Sequence, residues 1–485
     1  MLFIGSSRQM DDGSDMKNDL AGLPRCTSGA PLPRPTPAVP RDEPQSLKEL
    51  IPDNFSVFPD IVKALRSRGF LLYFLGQLVA LTGMWIQQVA MSWLVLSMSP
   101  EGDMMAFSTV IFLANIPTLF MTPFSGVVCD MFDRRKILIC TQTLAMLQTF
   151  ALAALTLTGV VTVPMIMALS LMLGVIVSFD APARQSFYSK LVPMEDLGNA
   201  IALNSIAING TRLVGPAAGG FLIGAIGEGG CFLINGFAFF AVIAALLCIR
   251  VKRGVGARSP LGPLAQIAEG FSYAARSLPL RSIIILMALF SFFGAPAVMI
   301  FPAFVKDVLG MDSSMLGVLM SCVGAGAMTA AVYLAARKSV LGLGKVVMFS
   351  CIIFGAAAVA MSFVRNVWLA GAVCYPLGFG MIAVAASCNT LLQTIVDDSK
   401  RGRIMSIFTM CIFGVPPVGS LAYGYFADIF GLPAVMASGG AVCVATALVF
   451  MRYRPVIRMH TRKIYVEKGI ISEIAVGLRS TNPRI

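Results

Sequence analysis

Three sets of charged residues fall where charge is least expected. Asp180 and Arg184 stand four residues apart, and Arg212 interrupts an apolar run. Asp130, Arg134 and Arg135 cluster in Gly126-Val-Val-Cys-Asp130-Met-Phe-Asp133-Arg134-Arg135-Lys136. A charge inside a long apolar stretch is costly and needs a partner or a water-filled cavity. Carboxylates and guanidinium groups pair, release and pair again, so the chemistry on offer is electrostatic, suited to gates and ion binding. Catalytic constellations are missing. His460, in the C-terminal tail, is the single histidine, which excludes a His-based triad or a multi-His metal site within the apolar runs. The 11 cysteines contain no C-x-x-C pair and read as small apolar packing residues with no disulfide framework. Gly342-Leu-Gly-Lys345 lacks the spacing of a nucleotide-binding loop. No cofactor, metal or enzymatic activity is expected.

The elements that must position these charges are membrane spans. The 485 residues are 57% hydrophobic and 13% charged, far below the roughly one quarter charged of a soluble domain. A net charge of +12 would suggest nucleic acid in a soluble protein; here the basic residues sit between apolar runs and read as loops facing anionic lipid. A span needs about 20 apolar residues. Twelve such runs are found, at about 70–97, 104–128, 137–158, 163–187, 199–226, 230–250, 281–305, 313–336, 344–364, 367–394, 403–427 and 433–452. Alternate loops hold Arg134 to Lys136, Arg184 and Lys190, Arg250 to Arg281, Arg337 to Lys345, and Lys400 to Arg403. The intervening loops carry Glu101, Asp103, Glu228, Asp307 and Asp312. This asymmetry predicts both termini in the cytoplasm.

The expected organisation follows. Residues 1–60, rich in Pro, Asp, Ser and Arg, read as a disordered cytoplasmic extension without signal-peptide features. A six-helix bundle occupies 61–250, a cytoplasmic loop 251–280, a second bundle 281–453, and a cytoplasmic tail 454–485. The halves repeat in parallel. Pro216, Gly219 and Gly224 of span five have Pro416, Gly419 and Gly424 in span eleven, at a constant offset of 200. The fold expected is all-α and polytopic, with twelve transmembrane helices in two pseudo-symmetric bundles and a site between them near the midplane.

The loop after span two resembles the signature loop of the major facilitator superfamily, Gly-x-x-x-Asp-Arg-x-Gly-Arg-Arg/Lys. Gly126, Asp130, Arg134 and Arg135 match; Met131 and Asp133 replace the first Arg and the second Gly. Further stretches resemble the branch containing the enterobactin exporter and related macrolide-efflux and secretion-effector transporters. These are Asp180-x-Pro-Ala-Arg184-Gln185, Asn199-Ala-Ile-Ala-Leu-Asn204-Ser205, Arg212-Leu-Val-Gly215-Pro216-Ala-x-Gly219-Gly220 and Cys231-Phe-Leu-Ile-Asn235. The Gly-Pro element is also similar to the span-five motif of drug antiporters, with Thr211 in place of its first Gly. The resemblance covers about residues 63–452. It implies a secondary exporter working by alternating access, with a small-molecule substrate, membrane lipid and the proton as partners, in a bacterial inner membrane and as a monomer.

Within that frame Gly126, Asp130, Arg134, Arg135, Asp180, Arg184, Arg212, Gly215, Pro216, Gly219, Gly220, Pro416 and Gly419 are the gate and conformational candidates. Asp180 and Arg184 read either as a solvated i,i+4 pair or as gate partners of the Asp130 loop. Arg212 reads either as a structural residue bonded to helix carbonyls or as a contact for an anionic substrate or a coupling carboxylate. Gln77, Trp85, Gln88, Asn209, Phe292, Met299, Tyr375 and Asn389 are the candidates for a cavity wall suited to bulky amphipathic molecules. No acidic residue is placed in the middle of a span, so proton coupling is implied by the resemblance without a site. A siderophore or similar secreted metabolite is the expected cargo. Multidrug or macrolide efflux is the alternative within transport, and a transport-dead sensor or scaffold the alternative outside it.

Overall fold

The computed structural model describes residues 63–99, 103–188, 191–249, 263–337, 339–397 and 400–468. The extension 1–60, residues 251–262 and the end of the tail lie outside them. Among the described residues the secondary structure is helical, with no strand. In chain order the helices are α1 (Arg68–Met98), α2 (Met104–Met131), α3 (Arg134–Leu157), α4 (Val163–Tyr188) and α5 (Leu197–Cys248). They continue with α6 (Pro263–Arg276), α7 (Leu278–Val308), α8 (Ser313–Ala335), α9 (Leu343–Phe363), α10 (Val367–Ile395), α11 (Arg401–Phe430) and α12 (Leu432–Glu467).

Among the described residues, eleven helices are long and apolar enough to cross a membrane. Twelve runs were expected, and α5 accounts for the difference. Its 52 residues would extend roughly 80 Å if straight, more than twice the ~30 Å hydrocarbon layer. Gly227 breaks it with φ 71° and ψ 174°, a left-handed backbone that a side chain would disfavour. The chain therefore crosses twice within α5, giving twelve crossings. Residues 263–276 of the expected loop form α6 instead. Gly270 lets α6 approach Arg403 and Ile407 of α11 closely, Arg403 pairs with Glu269, and the Tyr273 hydroxyl donates to Asp397 Oδ2 at 2.9 Å. At the other end of the chain, α12 runs past Pro455 to Glu467. Lys468 Nζ then caps α10, donating to the carbonyls of Thr394 and Val396 at 2.9 and 2.7 Å.

The packing carries the repeat seen in the sequence. The first crossing of α5 packs on α8, and α11 packs on α2. These pairs exchange when spans five and eleven, and spans two and eight, are interchanged. The details follow the same exchange. Gly219 lies against Ile86 of α1, where a Cβ would stand 3.0 Å from its Cα. Gly419 lies against the Phe292 carbonyl and Pro296 of α7. Gly224 faces Ser314 at the start of α8, and Gly424 faces Met104 and Ser108 at the start of α2. Both starts are capped alike: Asp103 Oδ1 accepts from the Ala106 amide at 3.0 Å, and Asp312 Oδ1 from the Met315 amide at 3.1 Å. Small residues let these backbones close, as membrane interfaces require without a strong hydrophobic drive.

Candidate functional site

A cavity of about 350 Å³ opens among α1, α2, α3, α4 and the second crossing of α5, with Met299 of α7 at its edge. Its apolar wall includes Met84, Met91, Phe107, Phe239 and Met299; its polar wall includes Gln77, Gln87, Gln88, Asn115, Thr141, Gln142, Asp180, Arg184 and Asn235. The helices place these groups by their period. Gln77, Met84 and Gln88 fall at spacings of seven and four along α1, one face of a helix.

Asp180 is the centre of the polar wall. It is 2% exposed. Oδ1 accepts from Thr141 Oγ1 at 2.9 Å and from Gln142 Nε2 at 2.8 Å. Oδ2 accepts from Arg184 Nε at 3.0 Å and from Arg184 Nη2, so the guanidinium grips it in a fork. Below the pair, Tyr73 packs edge-on against Phe187 and Tyr188 at 5.3 and 5.4 Å, and the Tyr188 hydroxyl donates to Asn204 Oδ1 at 2.7 Å. The pair is an i,i+4 pair with its carboxylate enclosed rather than solvated. Packing of α3 and aromatic rings around α4 encloses it and brings it to the cavity. Among Asp130, Asp180 and Asp428, the acids that the sequence places near helix ends, Asp180 is the one found in the cavity wall; its burial could not be read from that position.

A second polar cluster joins α1, α3 and α5. Gln87 Oε1 accepts from Thr149 Oγ1 at 3.1 Å and from Asn235 Nδ2, and all three residues are buried. Gln77 Oε1, Gln142 Oε1 and Asn235 Oδ1 remain buried acceptors without a protein donor. The cavity is thus lined by amide and hydroxyl side chains beside one ion pair. Gln87, Asn115, Thr141, Gln142 and Thr149 escaped the sequence reading. Their signal was present as polar side chains inside apolar runs, but such residues are equally suited to bonding their own helix.

Arg212 lies apart from this cavity. Its Cζ is 5.6 Å from the centroid of the Trp85 ring, within cation–π range. Its Nε is covered and has no hydrogen-bond partner. Pro216 has no N–H to donate to the Arg212 carbonyl four residues back, and Gly324 of α8 packs against that carbonyl; a Cβ at 324 would stand 2.7 Å from it. Gly215 makes room for Trp85, whose Cβ would be 2.5 Å from a Cβ there. Gly220 and Gly317 bring the same two helices together: a Cβ at 317 would meet the Pro216 carbonyl at 2.6 Å. Ser313 Oγ donates to the Gly220 carbonyl at 3.2 Å. In α11 the paired Pro416 and Pro417 follow a π-turn at Met410–Gly414, which absorbs their missing donors by widening the helix.

Among the described residues, hydrogen bonds link the two sets of six crossings at the end bearing Gly227. They include Ser313 to Gly220, the Met104 amide to Asp428 Oδ1 at 2.8 Å, and Lys306 Nζ to the Leu96 carbonyl. At the opposite end Arg135 binds within its own set, donating through Nε to the Leu246 carbonyl at 2.7 Å and through Nη2 to that of Leu247 at 2.9 Å. It thereby caps the end of α5. Asp133 caps α3, its Oδ1 accepting from the Arg135 amide at 3.0 Å, which explains an acid where the family pattern has Gly. Arg134 opens α3. Gly126 and Asp130 fall in the last turns of α2, and the expected Asp130 gate contact lies outside the described side chains.

Of the cavity candidates, Gln77, Gln88 and Met299 line the cavity. Trp85 turns to Arg212, and Asn209 Nδ2 bonds the Ser205 carbonyl at 2.8 Å in its own helix. Phe292 stacks edge-on with Phe293 at 4.8 Å, the Tyr375 hydroxyl donates to Thr329 at 3.0 Å, and Asn389 Oδ1 accepts from Gln393 at 3.1 Å. These last three belong to the second set of crossings, away from the cavity formed by the first.

Comparison with known proteins agrees with this architecture. Residues 62–465 match the family described as transmembrane secretion effector. The staphyloferrin A transporter of Staphylococcus aureus is 24% identical over 385 residues, covering 78% of this chain and 94% of that protein. The multidrug efflux pump Tap of Mycolicibacterium fortuitum is 26% identical over 381 residues, covering 76% and 91%. Among solved structures, an inward-facing bacterial homologue of the lysosomal transporter Spinster superposes with a TM-score of 0.58 at 14% identity, covering 83% of this chain and 98% of that one. A D-xylose–proton symporter gives 0.61 at 15% identity, covering 80% and 97%. At these identities the structures speak for the fold alone.

Proposed function

Because the chain belongs to the transmembrane secretion effector family of major facilitator transporters, we propose that it exports a siderophore or similar secreted metabolite from a bacterial cytoplasm by alternating access coupled to proton antiport. The observation that carries this reading is the cavity with Asp180 in its wall. Its volume of about 350 Å³ falls in the range that encloses a small molecule, and its amide and hydroxyl side chains suit a cargo rich in hydroxyl or amine groups. A siderophore transporter among the relatives supports the cargo class.

Asp180 is the candidate proton site. Protonation would release Arg184 from its fork and change the wall from a neutral pair to a free cation. A proton and the hydroxyl or amine donors of a cargo would thus compete for one carboxylate, which is what antiport requires. The basic loops support a cytoplasmic Arg135 end. The hydrogen bonds at the Gly227 end then hold the outer side shut, and the exchange-related seams α5–α8 and α2–α11 are the surfaces that would rock. The membrane implied is the bacterial inner membrane, with both termini cytoplasmic.

Multidrug efflux is the second reading, favoured by the methionine and phenylalanine wall and by the efflux pump among the relatives. Untargeted mass spectrometry of a deletion strain under iron limitation separates the two. We expect a secreted metabolite to build up at least several-fold inside the cells and to fall in the medium. Unchanged metabolites together with altered drug sensitivity would overturn the metabolite-export reading in favour of efflux.

A further inference from the structure

Arg212 lies midway between Leu197, where α5 begins, and Gly227, where it breaks. Roughly 20 Å of helix separates it from either end, farther than an arginine reaches, so it cannot snorkel to an aqueous boundary. Its backbone is held between α5 and α8 by the Pro216 and Gly324 contact, and its guanidinium lies over Trp85 of α1. Nε is fully covered without an acceptor, while the residue as a whole keeps partial exposure.

The charges around it do not balance. No other acidic side chain lies as deep in a span as Asp180 among the described residues, and both its oxygens are already taken by Thr141, Gln142 and Arg184. The interior thus holds Arg184 and Arg212 against one carboxylate. A cation inside a span needs a partner or a polar cavity, and with no free carboxylate at that depth among the described residues, an anion from outside the chain is the simplest compensation. Stacking on an indole orients a guanidinium while leaving its in-plane N–H groups free, and those groups match the two oxygens of a planar carboxylate. An arginine serving only to hold helix carbonyls would spend these donors on its own chain.

We propose that Arg212, seated on Trp85 at the α5–α8 seam, is a recognition point for a carboxylate or similar planar oxyanion on the transported molecule. The inference rests on reading the chain as a small-molecule exporter and specifies its substrates as anionic.

The test uses the full chain in lipid nanodiscs, with Trp93→Phe and Trp368→Phe leaving Trp85 as the sole reporter. Benzoate and citrate are titrated, each beside its methyl ester. Saturable change in Trp85 emission is expected with an acid, and binding at least tenfold weaker with the esters. Arg212→Gln should lose the acid response at least tenfold, and Arg212→Lys should keep part of it, as a point charge without the fork. Asn209→Asp, one turn earlier on the same helix, supplies an internal carboxylate. It keeps the cation paired in a folded protein and should weaken acid binding by competition. No response to either acid, equal response to the esters, or undiminished acid binding in both Arg212→Gln and Asn209→Asp would overturn the proposal. Failure of the export reading would show separately, as a deletion strain that accumulates nothing while the purified protein still discriminates acid from ester.

Discussion

Asp180 accepts four donors from three side chains in a nearly dry setting. Removing it alone strands Arg184, and breaking one side of such a pair costs about 3–5 kcal/mol. Removing both charges leaves a neutral wall. Asp180→Ala should therefore lower the thermal midpoint in detergent more than the Asp180→Ala, Arg184→Ala double variant does. A double variant less stable than the single one would show that Arg184 is held by contacts other than the carboxylate. Asp180→Asn combined with Arg184→Gln keeps most of the side-chain volume while removing both charges, so no cation is stranded. It should reduce proton-driven export at least tenfold with little change in folded yield, measured in inverted vesicles with an imposed pH gradient. Wild-type export in this variant would remove Asp180 from the coupling scheme.

At the scale of elements, the Gly-Pro segment of α5 combines three constraints. Pro216 frees a carbonyl, Gly215 admits Trp85, and Gly220 admits the start of α8. A leucine at 215 must displace Trp85, because no space exists for even a Cβ. Overpacking of this kind costs typically 1–3 kcal/mol, too little to unfold a large bundle but enough to bias a moving seam. Gly215→Leu and Pro216→Leu should each cut export at least tenfold while monodisperse protein is recovered by size exclusion. Normal export in both would mean that the segment is a passive kink. The same segment shows how far the sequence was legible. The constant offset to Pro416 and Gly419 marked the repeat because proline and glycine constrain the backbone directly. The partners Ile86, Phe292 and Gly317 were not legible, since they lie on helices distant in sequence and periodicity does not say which helix faces which.

At the scale of the molecule, the two sets of crossings meet through seams that exchange under the repeat, and the named hydrogen bonds between them gather at the Gly227 end. Alternating access requires that end to open. A disulfide across it should arrest the cycle. Gly224 and Ser314 are suitable positions, since a Cβ at 224 would stand 3.6 Å from Ser314 Oγ, near enough for two thiols to meet with a small adjustment. Gly224→Cys with Ser314→Cys should lose export under oxidising conditions and recover it with reductant, whereas each single variant should not respond. Export that persists with the bond formed would exclude opening at this seam. A sensor that does not transport would keep its signalling under both conditions.

Composition and charge order determined the class, the twelve crossings and the basic face, because the bilayer imposes length and polarity on each segment independently. The repeat was also local information, written in prolines and glycines. The site was decided by tertiary structure. Asp180 sits near the end of α4 and reads from sequence as one half of an i,i+4 pair; only the packing of Thr141, Gln142 and the aromatic rings makes it a buried cavity group. Arg212 was visible as a charge in an apolar run, but its lack of an acceptor and its seat on Trp85 exist only once α1, α5 and α8 are assembled. Burial and pairing depend on neighbours far away in the chain, and no local pattern encodes them.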